Sequence, residues 1–203
     1  SARPYGRAVM PTDNVTEPFS HHYGRTQEGG ISMIFISGVH GVGKTYFCDQ
    51  VQKELNISAY PASRLITEKK KAGFDSSKLV SDIDENQQYL LMAAEELREK
   101  EDDFILDGHF CLLDTAGTVT RITPETFTSL RPEAIILLTE KPEIISSRRK
   151  ERDGKDVTPE SIETFQNEEK KYAEEVAAQI GAKLFISTGS DDLLKAIDFI
   201  KSL

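Results

Sequence analysis

The chain has 203 residues, enough for one sizeable core and short for two. Apolar residues make up 38 % and charged residues 29 %, the balance of a soluble globular domain. Thirty-four acidic side chains against 25 basic ones leave a net charge of −9, which excludes a general DNA or RNA binder while leaving room for a local basic pocket.

Residues 1–30 read differently from the rest. Pro4, Pro11 and Pro18, the Gly29–Gly30 pair and balanced charges (Arg3, Arg7 and Arg25 against Asp13, Glu17 and Glu28) predict a flexible tail, with Met33 as an alternative natural start. The sharper alternative is an arm that docks on a protein partner. His21 and His22 stand without further ligands and read as surface residues rather than a metal site. The segment shows no apolar core of a secretory leader, and no run in the chain approaches the ~20 apolar residues of a membrane span. Cys48 and Cys111 lack metal spacing and fit a reducing cytoplasm.

From residue 31 strand and helix alternate. ISMIFIS (31–37) predicts a buried strand, KTYFCDQVQKEL (44–55) a helix, and ISAY (57–60) a second strand. Helices follow at 63–73 and within 77–100, then strands at 103–108 and 133–139, the latter apolar throughout as if covered on both faces. PEIISSRRKERDG (142–154) opens on proline and ends on glycine, and 158–181 repeats that helix signature behind Thr158. A fifth strand (182–188) and a last helix (191–203) complete the series. The pattern predicts one α/β domain over 31–203, a three-layer parallel sheet with right-handed crossovers, carrying a helical excursion at 61–100 and a lid at about 142–180.

The strongest motif is GVHGVGKT (38–45) between the first strand and the first helix. Gly38 and Gly43 frame four residues and are followed by Lys44 and Thr45, the pattern of a phosphate-cradling loop. Its glycines, Gly41 among them, let successive N–H groups point at phosphate oxygens, and the helix start adds partial positive charge. Lys44 is expected to reach the terminal phosphates of ATP and Thr45 to bind Mg²⁺, with Val42 and Tyr46 beside the nucleotide. His40 sits at a variable loop position and is assigned no role. The metal needs an acidic partner on a neighbouring strand, and Asp107 in FILDGHF supplies it. Asp107 can also orient or deprotonate an attacking oxygen.

Arg148, Arg149 and Arg152 crowd one side of the 142–154 helix, where mobile cations can stabilise charge spreading over a transferring phosphoryl group. Arg64, just after the second strand, is a candidate acceptor anchor. Lys69, Lys70 and Lys71 read as a solvated helix end, and Gln87 and Gln88 as side chains able to hydrogen-bond a base if they do not simply face water.

These residues together resemble the P-loop nucleoside monophosphate kinases, most of all the archaeal-type adenylate kinases, over roughly residues 32–202. LDGHFCLLDTAG (106–117) resembles their Asp-x-His segment, which brings in His109, and 130–153 resembles their fourth strand and arginine-bearing helix. STGSDDLLKAIDFI (187–200) resembles the closing strand–loop–helix whose backbone packs on adenine, which brings in Ser190. The resemblance implies ATP and Mg²⁺ in the loop and a nucleotide acceptor between the 61–100 helices and the third strand. Ser76, Ser77 and Lys78 stand where that family carries more arginine. Shikimate, adenylylsulfate and dephospho-coenzyme A kinases and AAA-type ATP-binding proteins carry the same loop. Two other readings remain: an ATP-driven switch acting on a protein partner, and a GTPase. For the GTPase, LLDTAG (112–117) matches an Asp-x-x-Gly switch, but TEKPE (139–143) lacks the guanine-reading Asn-Lys-x-Asp.

Overall fold

The computed structural model describes residues 31–73 and 83–203; the 1–30 arm and the stretch holding Ser76, Ser77 and Lys78 lie outside the described residues. Five parallel strands form the central sheet in the order β2 (Ser58–Pro61), β3 (Phe104–Asp107), β1 (Met33–Ser37), β6 (Ala134–Thr139), β7 (Lys183–Thr188). In the interior, β1 is buried at all five positions and β6 at five of six, as expected for strands with helices over both faces. Phe35 stands opposite Leu106 on one side and Ile135 on the other, so the apolar runs share one core. The chain leaves β1 towards β2, whereas β6 leads away to β7. These diverging connections open a crevice at the carboxyl ends of β1 and β6, where open α/β sheets bind ligands.

The helices of the sequence reading are present with small shifts: α1 (Lys44–Leu55), α2 (Ala62–Lys71), α3 (Glu85–Lys100), α5 (Pro142–Asp153), α6 (Pro159–Ile180) and α7 (Leu193–Lys201) behind a 3-10 turn, Ser190–Asp192. Helix α6 starts where the sequence places it, with the Thr158 hydroxyl accepting from the Ser161 N–H at 3.2 Å, and Gly181 closes it at a φ of +71°.

Two features escaped the sequence reading. Strands β4 (Cys111–Leu113) and β5 (Val119–Arg121) pair as a small antiparallel hairpin, and the short helix α4 (Pro124–Leu130) follows. Three-residue strands are too short for alternation to be recognised. LLDTAG forms the hairpin turn: the Asp114 carboxylate accepts from the Ala116 and Thr118 N–H groups at 2.9 and 2.8 Å. One carboxylate oxygen thus closes the hairpin turn on itself.

The hairpin and α4 meet the sheet through an aromatic cluster. Phe110 lies edge-on to Phe35 (5.1 Å between ring centres) and close to Phe127 (4.8 Å), and Tyr172 of α6 approaches both. Helix α6 buries Ile162, Phe165, Tyr172, Ala173 and Val176 in this core. Within the segment expected to form a lid, α6 packs in this core, while α5 touches the phosphate loop through Arg148 and Arg152.

Candidate active site

The loop between β1 and α1 has the backbone that phosphate binding requires. Gly41 and Gly43 sit at φ of +91° and +107°, a region that favours glycine. A Cβ at Gly41 would come within 2.9 Å of the Arg149 side chain, so this residue also needs its bareness for packing; at Gly43 the space is open. Gly38 is fixed by close approach, since its Cβ would lie 2.7 Å from Val42 and 2.9 Å from the Leu138 carbonyl. Gly43 caps α1 without a side chain, and no acid stands in the first turn. The N-terminal N–H groups of α1 and their partial positive charge therefore face the loop.

Lys44 projects between β1 and β3. Its Nζ lies 2.7 Å from Asp107 Oδ1, donates to the Gly108 carbonyl at 3.1 Å and stands 3.4 Å from His109 Nε2. The contact to Asp107 is ionic without hydrogen-bond alignment, since Asp107 Oδ1 is buried and has no aligned donor. Gly108 gives the segment its path: a Cβ there would strike the Phe35 ring at 2.9 Å. Burial, reinforced by the charge of Lys44, pushes His109 down to about 3, so its ring is neutral. Its Nδ1 stands 3.9 Å from Glu169, a distance that a neutral ring does not turn into an ion pair.

Glu169 is the residue that the sequence reading missed beside the loop. It is 1 % exposed, it accepts from the Ser37 hydroxyl at the end of β1, and it accepts from the Cys111 N–H at 3.0 Å. One buried carboxylate thus ties the base of the phosphate loop, the hairpin and α6. Burial raises its pKa, and these hydrogen bonds offset part of that rise. Burial likewise pushes the Cys48 and Cys111 thiols up to about 12, which makes them poor nucleophiles.

The arginines of α5 lie over the loop. Arg148 donates to the Val42 carbonyl at 3.3 Å and stands 3.8 Å from Glu140. The Nε of Arg149 is buried without a partner. Arg152 lies 3.0 Å from His40 Nε2, which in turn lies 2.9 Å from Asp153. His40 therefore links the phosphate loop to α5. Glu140 is also part of the site: its backbone N–H and C=O are both held by the Gln166 amide, at 3.1 and 2.8 Å.

Two cavities open around these groups. The outer cleft, of about 1080 Å³, is lined by the loop from Val39 to Tyr46, the three arginines of α5, Glu140 and Ser190. The inner pocket, of about 220 Å³, lies under α2, α3 and α4 and contains Gln87 and His109. Lys44 and Asp107 line both. The structure thus brings together Gly41, Val42, Gly43, Lys44, Thr45, Tyr46, Asp107, Arg148, Arg149, Arg152 and Ser190 around one cleft, with Gly38 packed beneath it. Arg64 lies apart: it points along the exposed face of α2, pairs with Glu68 at 3.1 Å, and lines neither cavity. Gln88 is buried too, but it donates to the Ile83 carbonyl at 3.4 Å rather than entering the pocket.

The residues fit a magnesium ion carried with phosphate. Thr45 and Asp107 line the same cleft, and Asp107 Oδ1 is a buried oxygen without an aligned donor. Among the described residues no group of three or more His, Cys, Asp or Glu side chains is placed to hold a metal ion by itself. Among the described residues, too, no helix is long and apolar enough to cross a membrane.

A glycine loop after the first strand of a five-stranded parallel sheet, with an arginine-bearing helix resting on it, defines the α/β P-loop kinase fold. Within that class the chain belongs to the AAA domain family, which it matches over residues 37–166, more than half of its length. Solved structures share the fold at low identity. A sugar kinase from Janibacter sp. aligns at 15 % identity and a TM-score of 0.50, covering 85 % of this chain and 95 % of its own. Shikimate kinase from Acinetobacter baumannii, in complex with shikimate, aligns at 17 % identity and 0.50, covering 85 % and 94 %. No curated protein matches the chain in sequence.

Proposed function

We propose that the protein transfers the γ-phosphoryl group of ATP to a small molecule held in the inner pocket. The observation that carries this reading is the Lys44–Asp107 pair on the wall common to the cleft over the glycine loop and a second pocket. A protein that only binds or hydrolyses a nucleotide has no need of the second chamber. The sugar kinase and the shikimate kinase that share the fold favour a small acceptor over a protein one.

In this reading the loop amides from Gly41 to Thr45 and the start of α1 hold the phosphates, and Ser190 borders the base. Lys44 leaves its contact with Gly108 and follows the charge of the terminal phosphate. Mg²⁺, held by Thr45 and, directly or through water, by Asp107, would offset phosphate charge when bound. Arg148, Arg149 and Arg152 stand where charge develops on the equatorial oxygens, and Arg149, with a free buried Nε, is the best placed. Catalysis rests on positioning and electrostatics, with no covalent enzyme intermediate. The acceptor oxygen bonds to the γ-phosphorus as the bond to the β–γ bridging oxygen breaks, and Asp107 takes a proton if the acceptor carries one. The resemblance to nucleoside monophosphate kinases makes a nucleotide acceptor one form of the proposal. Arg64, with its charge on the far face of α2, gives that acceptor no anchor here.

The test is ADP production from Mg·ATP alone and with added small acceptors, followed by chromatography. An acceptor that raises the rate well above the ATP-alone rate, with a matching phosphorylated product, supports the kinase. One slow rate whatever small molecule is added overturns it and moves the search to a protein partner and an ATP-driven switch.

A further inference from the structure

Resting on that reading, we infer that the acceptor is an uncharged, polyhydroxylated small molecule rather than a nucleoside monophosphate or other anion. The inner pocket carries the argument. Among the described residues its charged side chains are Lys44 and Asp107, which neutralise one another at 2.7 Å. Among the described residues no arginine lines it. Among the described residues an acceptor phosphate or carboxylate would find one cationic side chain there, Lys44, which is committed to the donor phosphates, beside the neutral groups of Ser63, Asn86, Gln87 and Thr126. Burying an anion without a cation of its own is unfavourable, so the lining disfavours one.

The unpaired polar atoms point the same way. Among the described residues, two buried side-chain atoms with neither a hydrogen bond nor a close ion pair belong to residues of this pocket, Gln87 Oε1 and His109 Nδ1. Gln87 is only 8 % exposed. The first is an oxygen that only accepts, and the second can accept or donate. Such a set is satisfied by a ligand that brings O–H donors. Phe35, Ile66, Leu90 and Phe127 supply apolar walls for the carbon face of a ring. A volume of about 220 Å³ lies below the roughly 300–1,000 Å³ of pockets for drug-sized ligands, so a single small ring fits better than a nucleotide.

The transfer balances with these groups. The acceptor hydroxyl oxygen bonds to the γ-phosphorus, the bond from that phosphorus to the bridging oxygen breaks, ADP leaves with the bond electrons, and the hydroxyl proton passes to Asp107 Oδ1. A phosphate acceptor would need no such proton acceptor, whereas a hydroxyl does.

The experiment uses the full chain with ATP labelled at the γ-phosphate. A cell extract of small molecules, freed of nucleotides and protein, is split by anion exchange into neutral and anionic pools, and each is added separately. The expected result is label in a new compound from the neutral pool, at a rate at least ~10-fold above any from the anionic pool. The product should carry one phosphate and become neutral on phosphatase treatment. Label entering a compound of the anionic pool, or AMP or shikimate added alone, overturns the inference and leaves the kinase reading standing. Label released only as inorganic phosphate with both pools overturns the kinase reading and the inference with it. With the acceptor in hand, Gln87→Leu should raise its KM about tenfold with little change in kcat, whereas an unchanged KM would remove Gln87 from recognition.

Discussion

The two cavities are built by opposite means. The outer cleft is a backbone site: a strand end, glycines at positive φ and a bare helix N-terminus create it, and cations from α5 cover it. The inner pocket is a side-chain site assembled from single residues on several elements, with one lysine, one aspartate and mostly apolar walls among the described residues. A backbone site recognises what many ligands share, the phosphate, while a side-chain site recognises what distinguishes one ligand. The general half of the function therefore lies in eight consecutive residues, and the specific half is dispersed.

Lys44 is the residue both halves need, so its loss tests the comparison most severely. Lys44→Ala should lower turnover at least ~10²-fold, the scale of losing one preorganised charge donor, with circular dichroism unchanged. Near-normal turnover in a folded variant would take the loop out of the mechanism and leave the two cavities unconnected.

The arginines of α5 separate charge used in transfer from charge used in holding the loop. Arg149 is buried at Nε and unpaired there, whereas Arg152 is 62 % exposed and engaged with Asp153 and His40. Arg149→Ala should lower kcat about tenfold with a small change in the KM for ATP, and Arg152→Ala should change either constant no more than about threefold. A loss confined to ATP affinity in Arg149→Ala would make α5 a clamp on the nucleotide rather than a participant in transfer.

The sequence revealed the outer cleft and the sheet because both rest on local rules. Buried parallel strands read as apolar runs, and α5 and α6 are marked by proline at one end and glycine at the other. The proline half of that signature was present at Thr123–Pro124–Glu125, where it opens α4, but the helix ends on Arg131 rather than glycine and its seven residues leave little periodicity to confirm it. Arg64 was read from its position after β2, which fixes where the residue lies along the chain and not which way a helix turns it. Gln87 was read as a residue able to touch a ligand, and its burial beside the pocket follows from α3 packing on α2 and α4, which one segment of sequence does not encode. Glu169 had a local signal. It falls seven residues after Ile162, four after Phe165 and three before Tyr172, on the stripe that α6 buries, yet its charged neighbours made the segment look solvated.

Glu169 also yields the smallest effect and a test of what holds the two cavities in register. Burial raises its folded pKa above the unfolded carboxylate value, so the folded chain holds a proton more tightly than the unfolded chain. That contribution is fully present below the unfolded value and is lost as pH rises through the folded one, the reverse of a salt-bridged carboxylate. Glu169→Gln keeps an acceptor for the Cys111 N–H and removes the charge. Its Tm relative to the parent should therefore rise as pH climbs above the unfolded carboxylate value, with each kcal/mol worth roughly 2–4 °C in a chain of this size. A constant offset between the two melting curves at every pH would show that the carboxylate does not change its proton affinity on folding. The join between loop, hairpin and α6 would then depend on its hydrogen bonds alone.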